Sequence, residues 1–450
     1  MSGGSAPRPA PPPSSSPAPP PSPPPGRDLS IDAARILSLL LVVLIHLLMI
    51  GASSGPGGVA LSRPLEAQPW FAAATWAGQI MPLFFILGGY TGIRSWRSAS
   101  RAGLGWWDHV RGRTARLARP ALPFFALWLL VLAGGRLAGI DPALLGAVAA
   151  GAGTPLWFLA AFLLAQSAVP LLARLHERSR WAAPVALLAG AVAVDAARAV
   201  TGVEAVGWLN FALVWCFAQQ LGFFLLDGSL SRLRARPGGA AALLGIAALG
   251  YLLLWPGVAA GWHSPNMLDN LNPPTVSLAL LGLAQLALFE LARPALRRLM
   301  RVRAAQAAAF VVGSRSMTVY LWHLPVIIAL TGLGLLLPGG GPAPDSPLWW
   351  ATRPLAYALV LACVLLLAVP LARFERLPEG FGERRTSPAP AVLAAVLAFA
   401  AAFWVTVSGL GLANAAAGTA ALALSWALVR GRPGGQPSGA ESRIAAQRSG

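Results

Sequence analysis

Long apolar segments recur along the whole chain, and they constrain its fold more than any other feature. The sequence predicts twelve of them, each about 18 residues or longer, the length that an α-helix needs to cross a hydrocarbon core of about 30 Å. They cover residues 31–50, 70–93, 120–139, 155–175, 182–199, 207–227, 239–259, 275–293, 305–334, 349–371, 388–408 and 411–430. The ninth is too long for one straight span, and Pro325 is expected to kink it. The predicted fold is an all-α, polytopic membrane helical bundle.

The composition agrees with membrane burial and argues against a nucleic-acid partner. Charged residues make up only 11% of the chain, about half the share in soluble domains. The net charge of +18 comes from arginines, which lie in short clusters between the apolar segments. Such clusters are typical of cytoplasmic loops in membrane proteins, so the expected partner of this surface is the lipid bilayer.

The distribution of arginine predicts the orientation of the spans. With a cytoplasmic N-terminus, the connections 94–119, 174–180, 232–236, 293–303 and 373–385 are all cytoplasmic and rich in arginine. The opposite connections contain only Arg63, Arg136, Arg198 and Arg353. We therefore expect a multi-pass protein of the inner or plasma membrane with both termini in the cytoplasm.

Two ionisable residues lie in the first apolar segment. Arg35 and His46 are eleven residues apart, so a helix places them on nearly the same face, about 16 Å apart along its axis. A charged group in the bilayer is costly, and two polar groups on one face favour a polar interior or cavity. The alternatives are that Arg35 extends to the interface and that His46 is a hydrogen-bonded packing residue.

A second polar stripe lies near the C-terminal side of the ninth segment. Ser316, Tyr320 and His323 follow i, i+4, i+7 spacing on an otherwise apolar helix. Such a stripe faces either a cavity or a polar neighbour, so both substrate contact and helix-to-helix hydrogen bonding are open. Asn270 and Asn272, at the start of the eighth segment, either shape a substrate entrance or form a simple helix-start turn.

The connection before the third segment carries closely spaced arginines. Arg113, Arg116 and Arg119 are three residues apart, so neighbouring pairs share one helical side and can fork onto a phosphate. An ordinary cytoplasmic connection is the alternative. His109, His176 and His263 are predicted to lie in loops without partners. The chain has no phosphate-binding glycine loop, HExxH or GxSxG motif, and we expect no metal site.

Seven segments resemble, in order, the acyltransferase 3 family of integral membrane acyltransferases. The first is RDLSIDAARILSLLLVVLIHLL, in which Arg35 and His46 match the family's spacing. The others are MPLFFILGGY (81–90), RTARLARPALPF (113–124), TPLWFLAAFL (154–163), WLNFALVWCFAQQLGFF (208–224), NLNPPTVSLALLGLAQ (270–285) and SRSMTVYLWHLPV (314–326). The fifth resembles a pattern of bacterial, actinobacterial-looking members.

The resemblance implies an enzyme that moves an acyl group from cytoplasmic acyl-CoA to a hydroxyl of a glycan, a lipid-linked sugar or a small metabolite. It implies His46 as general base, assisted by Arg35, and no permanently bound cofactor. The residues implied in substrate or acyl-CoA binding are Arg113, Arg116, Arg119, Trp157, Asn210, Tyr320 and His323.

Four regions follow from this comparison. Residues 1–26 contain twelve prolines and are expected to form a disordered cytoplasmic N-terminus, while 27–372 form the acyltransferase-like membrane domain. Ten spans are family-like; residues 388–430 add an extra pair of helices, and 431–450 form a disordered cytoplasmic tail. A secondary transporter that uses Arg35 and His46 in a proton- or ion-coupled path is the rival interpretation. A family member that only binds its ligand is also open.

Overall fold

The computed structural model describes residues 28–55, 58–382, 384 and 386–431. The predicted proline-rich segment 1–26 and the tail beyond Gly431 lie outside the described residues. The α-helices are, in chain order, α1 (Leu29–Met49), α2 (Phe71–Gly78), α3 (Met81–Arg101), α4 (Trp106–Leu137), α5 (Pro142–Gly153), α6 (Leu156–Arg178), α7 (Ala182–Thr201), α8 (Asn210–Leu226), α9 (Ser229–Ala235), α10 (Gly239–Ala259), α11 (Val276–Leu299), α12 (Arg303–Gly313), α13 (Ser316–Gly334), α14 (Pro347–Glu375), α15 (Pro388–Ser408) and α16 (Leu412–Arg430).

Twelve helical segments of the described chain are long and apolar enough to cross a bilayer, which confirms the predicted polytopic helical membrane fold. Three of these segments join a short helix to a long one: α2 with α3, α5 with α6, and a 3-10 helix, Glu204–Leu209, with α8. The small departure from an all-α fold is a hairpin after α1. Its strands, β1 (Gly51–Gly55) and β2 (Gly58–Ser62), pair antiparallel with Gly51 opposite Ser62.

Two helix boundaries differ from the sequence prediction. Helix α4 begins at Trp106 rather than at 120, because Gly105 starts the helix and its backbone N–H donates to the Asp108 carboxylate over 3.0 Å. The clustered arginines therefore lie on a helix. The long ninth segment breaks between α12 and α13, at Ser314, whereas Pro325 lies inside α13. The predicted single segment is therefore interrupted before that proline is reached.

Helices α3 and α8 approach most closely in the centre of the bundle. A β-carbon on Gly89 would collide with the Gln219 carbonyl, and one on Gly222 would collide with the Ile86 carbonyl. Small residues at such crossings let two backbones come into direct contact in a membrane. Beside this crossing, Phe85 of α3 stacks on Trp215 of α8 with ring centroids 4.4 Å apart. The crossing therefore determines where both helices hold their aromatic side chains.

A buried ion network joins the start of α1 to the end of α11. Arg293 donates to Asp28 over 2.6 Å and to Glu290 over 2.8 Å, while Arg297 reaches the same oxygen of Asp28 over 2.8 Å. Burial opposes ionisation of Asp28, but hydrogen bonds from Arg297, Ser30 and Arg293 outweigh it and hold its pKa well below the usual value. Since the folded pKa is lowered, these bonds stabilise the fold at neutral pH, and their contribution is lost as the pH falls below about 4.

Replacing Arg293 by alanine is expected to lower the free energy of unfolding by about 3 kcal/mol, because it leaves two buried carboxylates short of a partner. The Arg293 side chain is only 6% exposed and Glu290 is fully buried. The measurement is the thermal unfolding of the purified protein in a mild detergent. Arg297→Ala is the matched control: it removes a bond to the same Asp28, but Arg297 is half exposed, so the expected loss is under about 1 kcal/mol. Equal losses from both variants contradict this account.

Candidate active site

Helix α1 carries both ionisable residues of the first apolar segment on one unbroken stretch of helix. Asp28 begins it, accepting a bond from the backbone N–H of Ser30 over 3.0 Å, and the helix then runs to Met49. Arg35 lies near its first turns and His46 in its last. We call the end of the bundle where α1 and α4 begin and α3 ends the arginine-rich end, and the other the hairpin end.

His46 forms a pair with His323 of α13. Nδ1 of His46 lies 2.8 Å from Nε2 of His323, and the two rings stack with centroids 5.0 Å apart. His323 is fully buried, and its Nδ1 lies 2.7 Å from the carbonyl oxygen of Tyr320. The stripe predicted on this helix thus meets the histidine predicted on the first helix.

The hydrogen bonds determine which nitrogen carries each proton. A carbonyl oxygen only accepts, so Nδ1 of His323 is the protonated nitrogen that donates to Tyr320. In a neutral ring, Nε2 of His323 is then an acceptor, and Nδ1–H of His46 donates to it. The remaining nitrogen of His46, Nε2, therefore carries a free lone pair. An imidazole held in this tautomer is suited to accept a proton from a substrate.

A cavity of about 390 Å³ opens beside His46 at the hairpin end. It is lined by Trp157 of α6, by residues of α1, of the end of α5 and of the end of α15, and by side chains of the connections. The polar and charged residues among them are Arg63, Glu66, Thr154, Asp269, Asn272 and Thr406. The volume and mixed lining fit a small polar molecule. Trp157 and Asn272 thus both line this cavity, and their contact with a substrate stays a prediction.

Tyr320 belongs to the supporting structure of this site. Its hydroxyl donates to the carbonyl oxygen of Pro155 over 2.9 Å, and the side chain is buried. A phenol has one proton, so this bond commits it to the backbone at the start of α6. Tyr320 thereby ties α13 to the turn that leads into Trp157. Its backbone carbonyl also accepts from His323, so one residue supports both the Trp157 side of the cavity and the histidine that is bonded to His46.

Arg35 lies at a separate cavity, near the arginine-rich end. Its guanidinium lies 5.6 Å from the centre of the Phe84 ring. A cavity of about 650 Å³ is lined by Arg35, Asp28, Asp32 and Arg94, among others. Next to it is a cavity of about 790 Å³ that also includes Arg94 and is lined further by Arg97, Arg101, Arg174, Trp106 and Trp107. The sequence analysis did not assign these four arginines to a site, because Arg94, Arg97 and Arg101 lie on α3, Arg174 lies on α6, and the four share no motif.

The three arginines predicted to bind phosphate together do not form one patch. Arg113 is largely enclosed and is close enough to Arg116 and Arg35 for their positive charges to act on it. Arg116 itself is exposed. Arg119 points elsewhere: it donates to the carbonyl of Arg376 and lies over the ring of Trp426, 4.9 Å from its centroid. The structure therefore brings Arg113 toward Arg35, and it places Arg119 against the C-terminal helices.

Asn210 is buried away from the His46 cavity in a polar cluster of its own. Its amide donates to Asp195 over 2.8 Å, and Asp195 also accepts from the backbone N–H of Val276 and from His263. The cluster fixes the start of α11 against α7 and α8. The prediction that His263 has no partner is therefore wrong. His176 likewise pairs with Asp227 over 2.8 Å, and His109 lies in α4 with its ring against Trp96.

The fold and this site define a polytopic helical membrane protein in which one helix carries polar residues to cavities at two ends. Residues 28–373 match the sequence profile of the acyltransferase 3 family, described as an acyltransferase domain. The chain therefore belongs to this family and is an acyltransferase, as the seven motifs predicted. No curated protein and no solved structure matches the chain. The matched residues end before α15, so the two C-terminal helices lie beyond them.

Proposed function

We propose that this enzyme transfers an acyl group from acyl-CoA to a hydroxyl of a small acceptor held in the cavity beside His46. The observation that carries the proposal is the His46–His323 pair: the tautomer leaves Nε2 of His46 without a proton, and His46 lines an open cavity of mixed polar and apolar character. Free lone pairs of this kind are what general-base catalysis requires.

The chemistry needs one proton transfer in each direction. Nε2 of His46 takes the proton of the acceptor hydroxyl as its oxygen forms a bond to the thioester carbonyl carbon. The carbon–sulfur bond then breaks, and the CoA thiolate leaves with the proton that His46 returns. The products are an ester and free CoA. His323 acts as a positioning residue that holds His46 in the reactive tautomer.

The donor is proposed to enter at the arginine-rich end. Guanidinium groups recognise phosphates by paired hydrogen bonds, and Arg94 lies in both cavities there. Arg35 lies on the same helix as His46, about 16 Å nearer that end, so it can steer the donor toward the base. The concentration of arginine at this end supports a cytoplasmic location for it, with both termini on that side of a plasma or inner membrane.

The direct test is acyl transfer by the purified full chain in proteoliposomes. With radiolabelled acetyl-CoA and a panel of hydroxyl compounds, we expect release of free CoA that depends on the added acceptor, together with a labelled product that hydroxylamine cleaves as an ester. Release of CoA that is independent of every acceptor contradicts the proposal. A hydroxylamine-resistant product also contradicts it, because that outcome indicates an amide.

A further inference from the structure

The two C-terminal helices, which lie beyond the family-matched residues, contribute to the His46 cavity. Val405 and Thr406 of α15, with Gly409 and Leu410 of the turn that follows, line the same cavity as Ile45, His46 and Met49 of α1. Leu410 reaches the end of α5, where a β-carbon on Gly153 would lie 2.9 Å from the Leu410 β-carbon. Helix α15 and the turn after it are thus in direct contact with the proposed acceptor site.

The pair is anchored firmly against the family-matched domain. Helix α15 packs on α4 and α6, and α16 packs on α4. Arg111 of α4, which is buried, donates to the carbonyls of Val429 and Phe381 over 2.8 and 2.9 Å. Near the hairpin end, the Phe403 ring lies 5.4 Å from Trp208 and 5.1 Å from Phe211. Because buried polar groups need hydrogen-bond partners, these bonds from Arg111 indicate that α15 and α16 are an integral part of the fold.

The turn between the two helices is held by hydrogen bonds where it meets the cavity. Gly409 has φ of +82°, a conformation that glycine adopts without strain. The side-chain amide of Asn414 donates to the Gly409 carbonyl over 2.7 Å and to the Ser408 hydroxyl over 3.1 Å. Thr406, one turn before, is half-buried and is bonded to the carbonyl of Ala402 over 2.9 Å. The residues of α15 and of this turn that line the cavity therefore have a defined position.

We propose that the end of α15 and the turn that follows it form the wall that limits the size of the acceptor, with Thr406 as the residue that decides how much room lies in front of His46. A cavity of about 390 Å³ is near the lower end of ligand sites, so a small shift of this wall changes what fits. The proposal rests on the proposed function, because it takes the His46 cavity as the acceptor site.

The first test measures how easily a small reagent reaches position 46, and it requires no acyl transfer. In the full chain with Cys216 and Cys363 replaced by alanine, His46→Cys is labelled with methanethiosulfonate ethylammonium, a small thiol reagent. Adding Thr406→Trp is expected to slow labelling about tenfold, and adding Thr406→Ala is expected to speed it. Thr419→Trp is the matched control: Thr419 is also half-buried, and it bonds the carbonyl four residues before it, but it lies on α16 outside the cavity lining.

The second test uses the protein that keeps His46 and measures its preference among acceptors. The donor is radiolabelled acetyl-CoA, and the three acceptor probes, in order of size, are glycerol, methyl β-D-glucopyranoside and methyl β-D-maltoside. Thr406→Trp is expected to lower kcat/KM for the largest accepted probe at least tenfold, a normal range for steric exclusion, while KM for acetyl-CoA stays unchanged. Thr406→Ala should shift the preference toward the larger probes. Thr419→Trp should change neither parameter.

The outcomes separate the wall from the proposed function. Labelling that responds equally to changes at Thr406 and Thr419, or to neither, overturns the wall. A labelling effect at Thr406 without any change of acceptor preference overturns the specificity role. A change in the KM for acetyl-CoA alone does the same, because it places the effect on the donor. If the wild-type protein acylates none of the probes and releases no CoA with any of them, the proposed function is contradicted for these acceptors, and the labelling result alone decides whether the wall exists.

Discussion

Replacing His46 by alanine is expected to lower kcat by about 10²–10⁴-fold, the usual contribution of a general base. The reason is that Nε2 of His46 is the free imidazole nitrogen of the His46–His323 pair, whose other polar nitrogens are engaged with each other and with the Tyr320 carbonyl. The KM for acyl-CoA is expected to stay within a few-fold, since the cavity proposed for the donor lies at the other end of α1. The measurement is acceptor-dependent release of CoA by the reconstituted protein.

Three further variants distinguish loss of the general base from a change in the shape of the cavity. Met49→Ala removes a side chain from the same cavity on the same helix without removing a base, and we expect less than about a tenfold change in kcat. His323→Gln keeps an oxygen that can accept from Nδ1–H of His46, so it should retain more activity than His323→Leu, which has no acceptor. Wild-type kcat in His46→Ala, or equal activity in the two His323 variants, contradicts the tautomer mechanism.

Adding a single methyl group at Gly222 is expected to prevent stable folding. A β-carbon there collides with the carbonyl oxygen of Ile86 and with backbone atoms of Gly89 and Tyr90. Side chains can rotate away from a new methyl group, but the backbone of a hydrogen-bonded helix cannot, so the cost exceeds the roughly 1–3 kcal/mol of ordinary overpacking. The measurement for Gly222→Ala is the yield of monodisperse protein in mild detergent and the midpoint of its thermal unfolding.

Gly245→Ala provides the matched control on another membrane helix. A β-carbon at Gly245 has no neighbouring atom within 4 Å, so only the intrinsic preference of alanine for helix remains, up to about 1 kcal/mol in favour of folding. We expect a wild-type yield and an unchanged or slightly raised midpoint. A Gly222→Ala protein that is as stable as Gly245→Ala contradicts direct backbone contact between α3 and α8.

Much of the fold is predictable from the sequence because it depends on local properties. Length and hydropathy identify spans without knowledge of their neighbours, and the predicted segment 388–408 coincides with α15. The helical repeat places Arg35 and His46 on one helix for the same reason. Local signals were misleading where a hydrogen bond at a helix end sets the boundary of the helix. The arginines from 111 to 119 were predicted to lie in a connection, yet the bond between Gly105 and Asp108 starts the helix before them.

The hydrogen-bond partners of the predicted residues depend on how the helices pack, and the local sequence pattern does not indicate which helices come into contact. His46 and His323 are 277 positions apart, and their bond decides which nitrogen is free to act as a base. The same packing turns Arg119 toward Arg376 and brings Thr406 into the lining of the His46 cavity. Hydropathy and helical spacing are therefore enough to predict a membrane bundle with Arg35 and His46 on its first helix. The cavities, the histidine pair and the wall arise only when helices distant in sequence come into contact.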